Sequence, residues 1–385
     1  MTLIIDIHAL QTVPPSLINR DEVGAPKTAI FGGVPRQRVS SQAWKRAIRR
    51  YFEKESGAES VGLRSRNLPE VIAKKAMELS PELTEEDAIA GLRNLFKATG
   101  SKDGISLEEP KKNSREDADD SVSVYPTTKA LLFLSPYQIE NAARAIINKG
   151  GEKFSKAEAS GILDTKHSID MAMFGRMLAD APAYNIDASV QVAHAIGVHE
   201  SEPEFDYFTA VDDVVEDREE TGAGMIGTVQ MMSSTLYRFA SVNVEALAEN
   251  LGDSEAANEA ARKAASLFVK AFIESMPTGK QNTFANNTLP ELVYIAVRDT
   301  RSVSLVNAFE EPVLADADHG RVQNAVAALA REENSVESTY GMKPLAAFVI
   351  GLKDYANAFE PIAQKVTVPE LSSRIEEVLG AQEVK

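Results

Sequence analysis

Apolar positions crowd the start of the chain, where Leu3, Ile4, Ile5 and Ile7 predict a strand over residues 2–10 that Pro14-Pro15 terminates. The period then changes. After a long loop containing Gly32-Gly33, Ser40-Ser41 offer capping oxygens, and Trp44, Ala47, Ile48 and Tyr51 recur at i, i+3, i+4 and i+7. That spacing predicts a helix with one apolar stripe. Lys45 and Arg49 lie one turn apart on one flank beside Gln42, and Arg46 and Arg50 lie on the other. Residues 66–96 also repeat at helical period, with Thr84 and Glu86-Asp87 at an N-terminus. TKALLFL reads as a strand, and PYQIENAARAIINK as a helix. Further on, IDMAMFGRM from Ile169 and DASVQVAHAIGVH read as extended, and 229–243 as a strand. Residues 253–276 form an amphipathic helix ended by Pro277 and Gly279, and LVYIAVR at 292–298 is the next strand.

The strong elements follow the order strand, helix, strand, strand, helix, strand. This βαββαβ order is the ferredoxin-like, RNA-recognition-motif arrangement, an α+β fold. It predicts a discontinuous palm from 1–55, 167–198 and 229–300, with a helical insertion at 56–166 and a β-hairpin insertion at 199–228. Residues 301–385 add helices that pack on the palm, and residues 97–123, charged and nearly free of large apolar groups, predict a mobile surface loop.

Charge sharpens this picture. The 385 residues carry a formal net charge of −16, yet Arg20, Lys27, Arg36, Arg38, Lys45, Arg46, Arg49 and Arg50 face only Asp21 and Glu22 between positions 20 and 50. A cationic cluster held against an anionic whole points to a polyanion site. The capped helix adds N–H donors suited to an anion. There are no cysteines, which excludes disulfides and thiolate metal sites and fits a reducing cytoplasm. The N-terminus lacks a basic leader, and no run reaches the ~18 apolar residues of a membrane span.

Two further segments carry candidate chemistry. Residues 277–287, PTGKQNTFANN, offer Lys280 and Gln281 in a connection freed by Gly279, although a polar helix-to-strand turn accounts for them somewhat better, and the P-loop spacing is absent. Tyr207-Phe208 stand in an acidic stretch, either as a stacking platform for bases or as a staple for their own hairpin. Enzyme signatures are weak: the five histidines match no zinc motif, and neither a GxSxG elbow nor HExxH occurs. Asp21 in the basic loop could serve as a carboxylate near a phosphate, although an isolated Asp is more often a turn residue or salt-bridge partner. A metal-dependent ribonuclease using it with His8 or another palm carboxylate is the alternative reading.

The ordered set of motifs resembles the backbone-subunit family of the type I-E CRISPR surveillance complex, Cascade (the CasC family). The pieces are INR-D, AIFGG and SSQ-xx-KRA-x-R between Asn19 and Arg49, FGRM at 174–177, and AHAI-xx-H at 193–199. FTAVDD at 208–213, YRFA-x-VNV at 237–244, GKQNT at 279–283 and NAFE at 307–310 complete it. The resemblance spans nearly the whole chain. It implies a palm, helical fingers and a thumb-like hairpin, with copies stacked head to tail along the guide RNA (crRNA). Each thumb would kink the strand and turn out one base, leaving the others to pair with target DNA in antiviral defence. It further implies that Arg20, Lys27, Ser40, Gln42, Lys45 and Arg49 grip the RNA backbone with Lys280 and Gln281 assisting, while Met177, Tyr207 and Phe208 wedge against bases. Tyr207 stands where a family member carries Trp, which keeps the ring. The implied partners are the large, small and guide-tail subunits and the guide-processing endonuclease. No cofactor, no metal and no enzymatic activity are implied, and Asp21 would be structural.

Overall fold

The computed structural model describes residues 2–100, 104–110, 123–211, 223–252 and 254–382. The chain divides into two units, 1–48 with 191–243 and 265–385, and 49–190 with 244–264. The first unit is built on a mixed sheet of β1 (Ile4–Ser16), β2 (Thr28–Phe31), β3 (Val34–Val39), β4 (Ala195–Gly197), β5 (Glu204–Val211), β6 (Ala223–Asn243), β7 (Leu292–Arg298), β8 (Ala346–Gly351) and β9 (Gln364–Lys365). Three helices matter to it: α1 (Ser41–Ser56), α2 (Glu255–Glu274) and α3 (Arg321–Tyr340). The strand order is β9-β8-β7-β1-β6-β4-β3-β2, with β5 paired to β6 off this path. The β8–β9 pair is parallel, whereas β1 is antiparallel to both its neighbours.

β1 is buried on both faces because its alternate side chains meet different layers. Ile5, Ile7 and Ala9 share a face with Arg238, which is opposite Ala9. On this face Arg238 is fully buried between the rings of Trp44 from α1, at 3.7 Å, and Phe272 from α2, at 4.3 Å. Its Nη1 donates to Gln11 Oε1 at 2.6 Å, and its Nη2 donates to the Phe272 carbonyl. Burial pushes its pKa down to about 9. On the opposite face Leu10, Tyr237, Phe239 and Tyr294 pack with Leu305, Phe309, Phe359 and the apolar stripe of α3 (Ala325, Val326, Leu329).

A polar network crosses that second layer. Arg298 Nη2 donates to Glu333 Oε1 at 2.6 Å, Tyr294 donates to the same oxygen at 2.9 Å, and Asp6 lies 3.3 Å from Arg298 Nε. Next to it, His8 Nδ1 meets the Tyr237 hydroxyl at 2.8 Å, with its ring 5.5 Å from that of Tyr294. Burial, reinforced by Arg298, lowers the His8 pKa to about 3, so the ring is neutral at physiological pH.

Two sequence expectations are corrected. The strand at the start of the chain continues past Pro14-Pro15 to Ser16, and its pairing with β6 shifts register between Val13 and Ser16. Prolines cannot donate to a ladder, and an irregularity in the pairing is where a strand tolerates them. The segment from Ile169 forms a helix, Ile169–Phe174, where extended structure is expected. The buried Asp170 in its first turn accepts from the neighbouring Ser168 Oγ and from the distant Gly62 N, and these bonds outweigh the β-like composition.

The second unit is helical around Ile72, Leu92, Leu95, Phe96, Ile139 and Ile146. Its helices start on side-chain caps: Thr84 accepts from Asp87 N, and Ser135 and Ser155 form capping boxes with Gln138 and Glu158. The loop expected at 97–123 is described only in part, with a short pairing of Leu107–Glu108 and Thr127–Thr128; residues 101–103 and 111–122 lie outside the described residues. No helix of the described residues is long and apolar enough to cross a membrane.

Two outcomes are expected. Arg238→Ala removes the filling between Trp44 and Phe272 and orphans Gln11 Oε1, at a cost of about 3–5 kcal/mol read as a lowered urea midpoint. His8 makes the fold acid-sensitive. Its folded pKa lies below the ordinary 6.5, so between pH 6.5 and about 3 the unfolded chain binds a proton that the folded chain refuses. Stability falls as pH drops through that window. Relative to His8→Leu, the wild type should lose roughly 3 kcal/mol between pH 7 and pH 4 in paired denaturation curves. Asp6, which burial shifts upward, acts in the opposite sense and is common to both proteins.

Candidate nucleic-acid interface

Asn19 organises the basic loop. Its Oδ1 accepts from Ser40 N at 2.8 Å, and its carbonyl accepts from Lys27 N at 3.1 Å, while the Lys27 carbonyl accepts from Arg38 N at 2.9 Å. These bonds fold the Arg20–Lys27 loop back onto the start of α1. Arg20 is exposed and Lys27 half-buried, beside an open groove of about 660 Å³ lined by Asn19, Arg20, Asp21, Glu22 and Gly279. Asp21 closes the loop on itself, its Oδ1 accepting from Val23 N at 3.0 Å and Ala25 N at 2.9 Å. The His8 ring is buried in the core and offers no ligand to an exposed phosphate.

The cationic cluster is smaller than its sequence count. Arg36 is fully buried, donating from Nε to Phe31 O, from Nη1 to Gly197 O, and from Nη2 to Phe309 O and Glu310 O at 3.0–3.1 Å. It ties backbone together and cannot serve the surface. Arg38 is half-buried, with Nε donating to Thr28 O and Nη1 3.3 Å from His194 Nδ1. On α1, Gln42 and Arg46 are exposed and Lys45 is half-buried, where burial pushes its ammonium below the usual lysine range. Arg49 belongs to the second unit. There its Nε donates to the buried Asp170 at 2.7 Å, its Nη2 donates to Gly62 O, and its guanidinium lies over Phe133. Arg50 pairs with Glu53.

The N–H donors expected at the start of α1 are largely occupied. Ala43 N and Trp44 N donate to the Ser40 carbonyl, and Ser40 Oγ also accepts from Ala43 N. Ser41 N donates to His194 Nδ1 at 3.2 Å. His194 is exposed, and burial, Arg38 and Lys27 hold its pKa below the ordinary histidine value.

The 277–287 connection docks on the base of the same loop. A Cβ on Gly279 would lie 2.2 Å from Ile18 O, so only glycine permits this approach. The next residue, Lys280, is exposed and left-handed at φ 50°, and Gln281 donates to Asn287 Oδ1 at 2.7 Å.

β5 and β6 form a two-stranded ribbon, and strand alternation separates the aromatic pair. Tyr207 faces one side, opposite Thr228, and Phe208 faces the other, opposite Gly227. A Cβ on Gly227 would lie 2.4 Å from the Phe208 ring, so that ring covers the glycine backbone. Tyr207 (64% exposed) instead shares its face with Phe205 (70% exposed), which sequence reasoning passed over although the i, i+2 spacing within a strand signals it. Residues 212–222, with Asp212, Asp213, Glu216, Asp217, Glu219 and Glu220, lie outside the described residues. Met177 stands in the second unit, 80% exposed. The preceding Arg176 is buried, donating to the carbonyls of Tyr184 and Leu163 and paired with Asp164, which fixes the point from which Met177 emerges. Among the described residues, no three acidic or histidine side chains converge as a metal site.

The arrangement can hold an anionic chain along the Arg20 loop and α1 and offer rings to bases on the ribbon. Comparisons with known proteins bear on which chain that is. The model of the CT1975-like protein family matches residues 5–374. No curated protein sequence matches. A chain from a solved "CRISPR RNA-guided surveillance complex, pre-nicking" is 32% identical, with 98% of this chain and 99% of that chain covered and a TM-score of 0.80. A chain from a "CRISPR RNA-guided surveillance complex" is 28% identical over the same shares, with a TM-score of 0.72. With its family model aligned along almost the entire sequence, this chain belongs to the CT1975-like protein family.

Proposed function

We propose that the chain is a guide-RNA-binding backbone subunit of a CRISPR RNA-guided surveillance complex, of the type I-E (Cascade, CasC) kind. End-to-end similarity to a chain of such a complex, at a TM-score of 0.80, carries this reading. In it the sheet is a ferredoxin-like palm. The central order β7-β1-β6-β4, with α1 and α2 both meeting Arg238 on one face, is what the βαββαβ pattern requires. Residues 56–166 are the fingers and 199–228 the thumb, whose ribbon supplies Tyr207 and Phe205 as base-facing rings. Copies stack head to tail along the guide, assembling with large, small and guide-tail subunits and a guide-processing endonuclease in the cytoplasm.

The chemistry suits a carrier of variable guides. Phosphate charge and stacking are indifferent to sequence, and base pairing with the target supplies the specificity. Lys45 favours this role because a half-buried ammonium gains more from a phosphate than a solvated one. The protein is read as non-catalytic, with Asp21 engaged in its own turn.

In fluorescence anisotropy with labelled single-stranded RNA, Lys27→Ala with Lys45→Ala should weaken binding equally for unrelated sequences. The log–log salt slope should become shallower by about 1.4, some 0.7 per lost phosphate contact. Unchanged affinity and slope would remove these lysines from the site. Arg49 is left intact in this test because its loss strands the buried Asp170 carboxylate. With magnesium or manganese present the RNA should remain whole; cleavage that disappears in Asp21→Ala would replace the carrier reading with the ribonuclease one.

A further inference from the structure

We propose that His194 is an additional contact to the ribose-phosphate backbone, donating from Nε2–H in a tautomer that the first turn of α1 imposes. The proposal rests on the RNA-binding reading above and adds to it a residue, a donor atom and a protonation state.

Two groups converge on His194 Nδ1: the Ser41 backbone N–H at 3.2 Å and the Arg38 guanidinium at 3.3 Å. Neither can accept a hydrogen bond, so Nδ1 must present its lone pair, and the neutral ring carries its proton on Nε2. A second proton, on Nδ1, would meet both donors head on. Lys27 adds positive charge from the neighbouring loop, and together with burial and Arg38 it disfavours the imidazolium. The ring is exposed, and no acidic group contributes to its shift.

This environment selects the ligand class. A metal cation would need Nε2 stripped of its proton between two cations, and a neutral ligand would gain nothing from the surrounding charge. An anionic oxygen fits. It accepts from Nε2–H while Arg38 and Lys27 supply the field, and the donors feeding Nδ1 polarise the ring and strengthen the outer N–H. The Ser41 N–H therefore reaches an anion through the imidazole. A sequence-independent grip needs such a contact, since every nucleotide presents a phosphate.

The test uses the full chain. In His194→Asn the amide oxygen can replace Nδ1 as acceptor for Ser41 N–H, but the shorter side chain has no donor where Nε2–H stood; His194→Ala removes both. The expected result for His194→Asn is an unchanged urea midpoint and about tenfold weaker binding of single-stranded RNA. Its salt slope stays unaltered, because a neutral donor displaces no counterion. Imidazole ¹⁵N NMR of the free protein should show the Nε2–H tautomer, with the Nε2 resonance moving on RNA addition. Undiminished affinity in His194→Asn, or a proton on Nδ1, overturns the proposal while leaving the RNA reading intact. Failure of the wild type to bind RNA overturns that reading instead, and the free-protein NMR still decides the tautomer.

Discussion

One buried cation seats the whole interface. Arg238 rises from the middle of the sheet with no carboxylate ion pair among the described residues, and lies between Trp44 of α1 and Phe272 of α2. Leaving a guanidinium in such a place is costly, as its lowered pKa records. The compensation is two aromatic faces and two oxygen acceptors. Because one of those faces belongs to the basic helix, the direction in which Gln42, Lys45 and Arg46 point is set from beneath, by packing.

The same economy runs through the molecule. Arg36, Arg176, Arg238 and Arg298 are all turned inward, most of their hydrogen bonds ending on carbonyl oxygens. A strongly anionic chain thus withdraws several of its cations from the surface, Arg36 of the basic segment among them. Around the loop and the start of α1, Arg20, Arg46 and Lys280 are exposed and Lys27 and Lys45 half-buried.

Much of this was legible from residue order. The Trp44–Tyr51 stripe, the strand at 292–298 and the helix around 255–274 announce themselves by period, because each buries a single face or a continuous apolar run. Charge counting was less faithful. A guanidinium that binds carbonyls looks the same in sequence as one that reaches solvent, so counting charges places Arg36 in the surface cluster although it is buried. The aromatic pair is divided for a different reason. Adjacency along the chain suggests a shared platform, whereas the pleat sends neighbours to opposite faces and unites Phe205 with Tyr207. His194 could not be found at all, since its role depends on a bond to a residue 153 positions away.

β6 changes partner partway along: Met232 is matched with Ser16 of β1, whereas Met231 is matched with Glu204 of β5. A single continuous backbone therefore serves two masters, and parity links them. Adding or deleting one residue between Glu204 and Tyr207 would turn the Tyr207 ring to the opposite side, whereas a change of two would keep its orientation. An odd change could be absorbed only by a bulge, and the ribbon already holds one such irregularity between Ala210 and Val211.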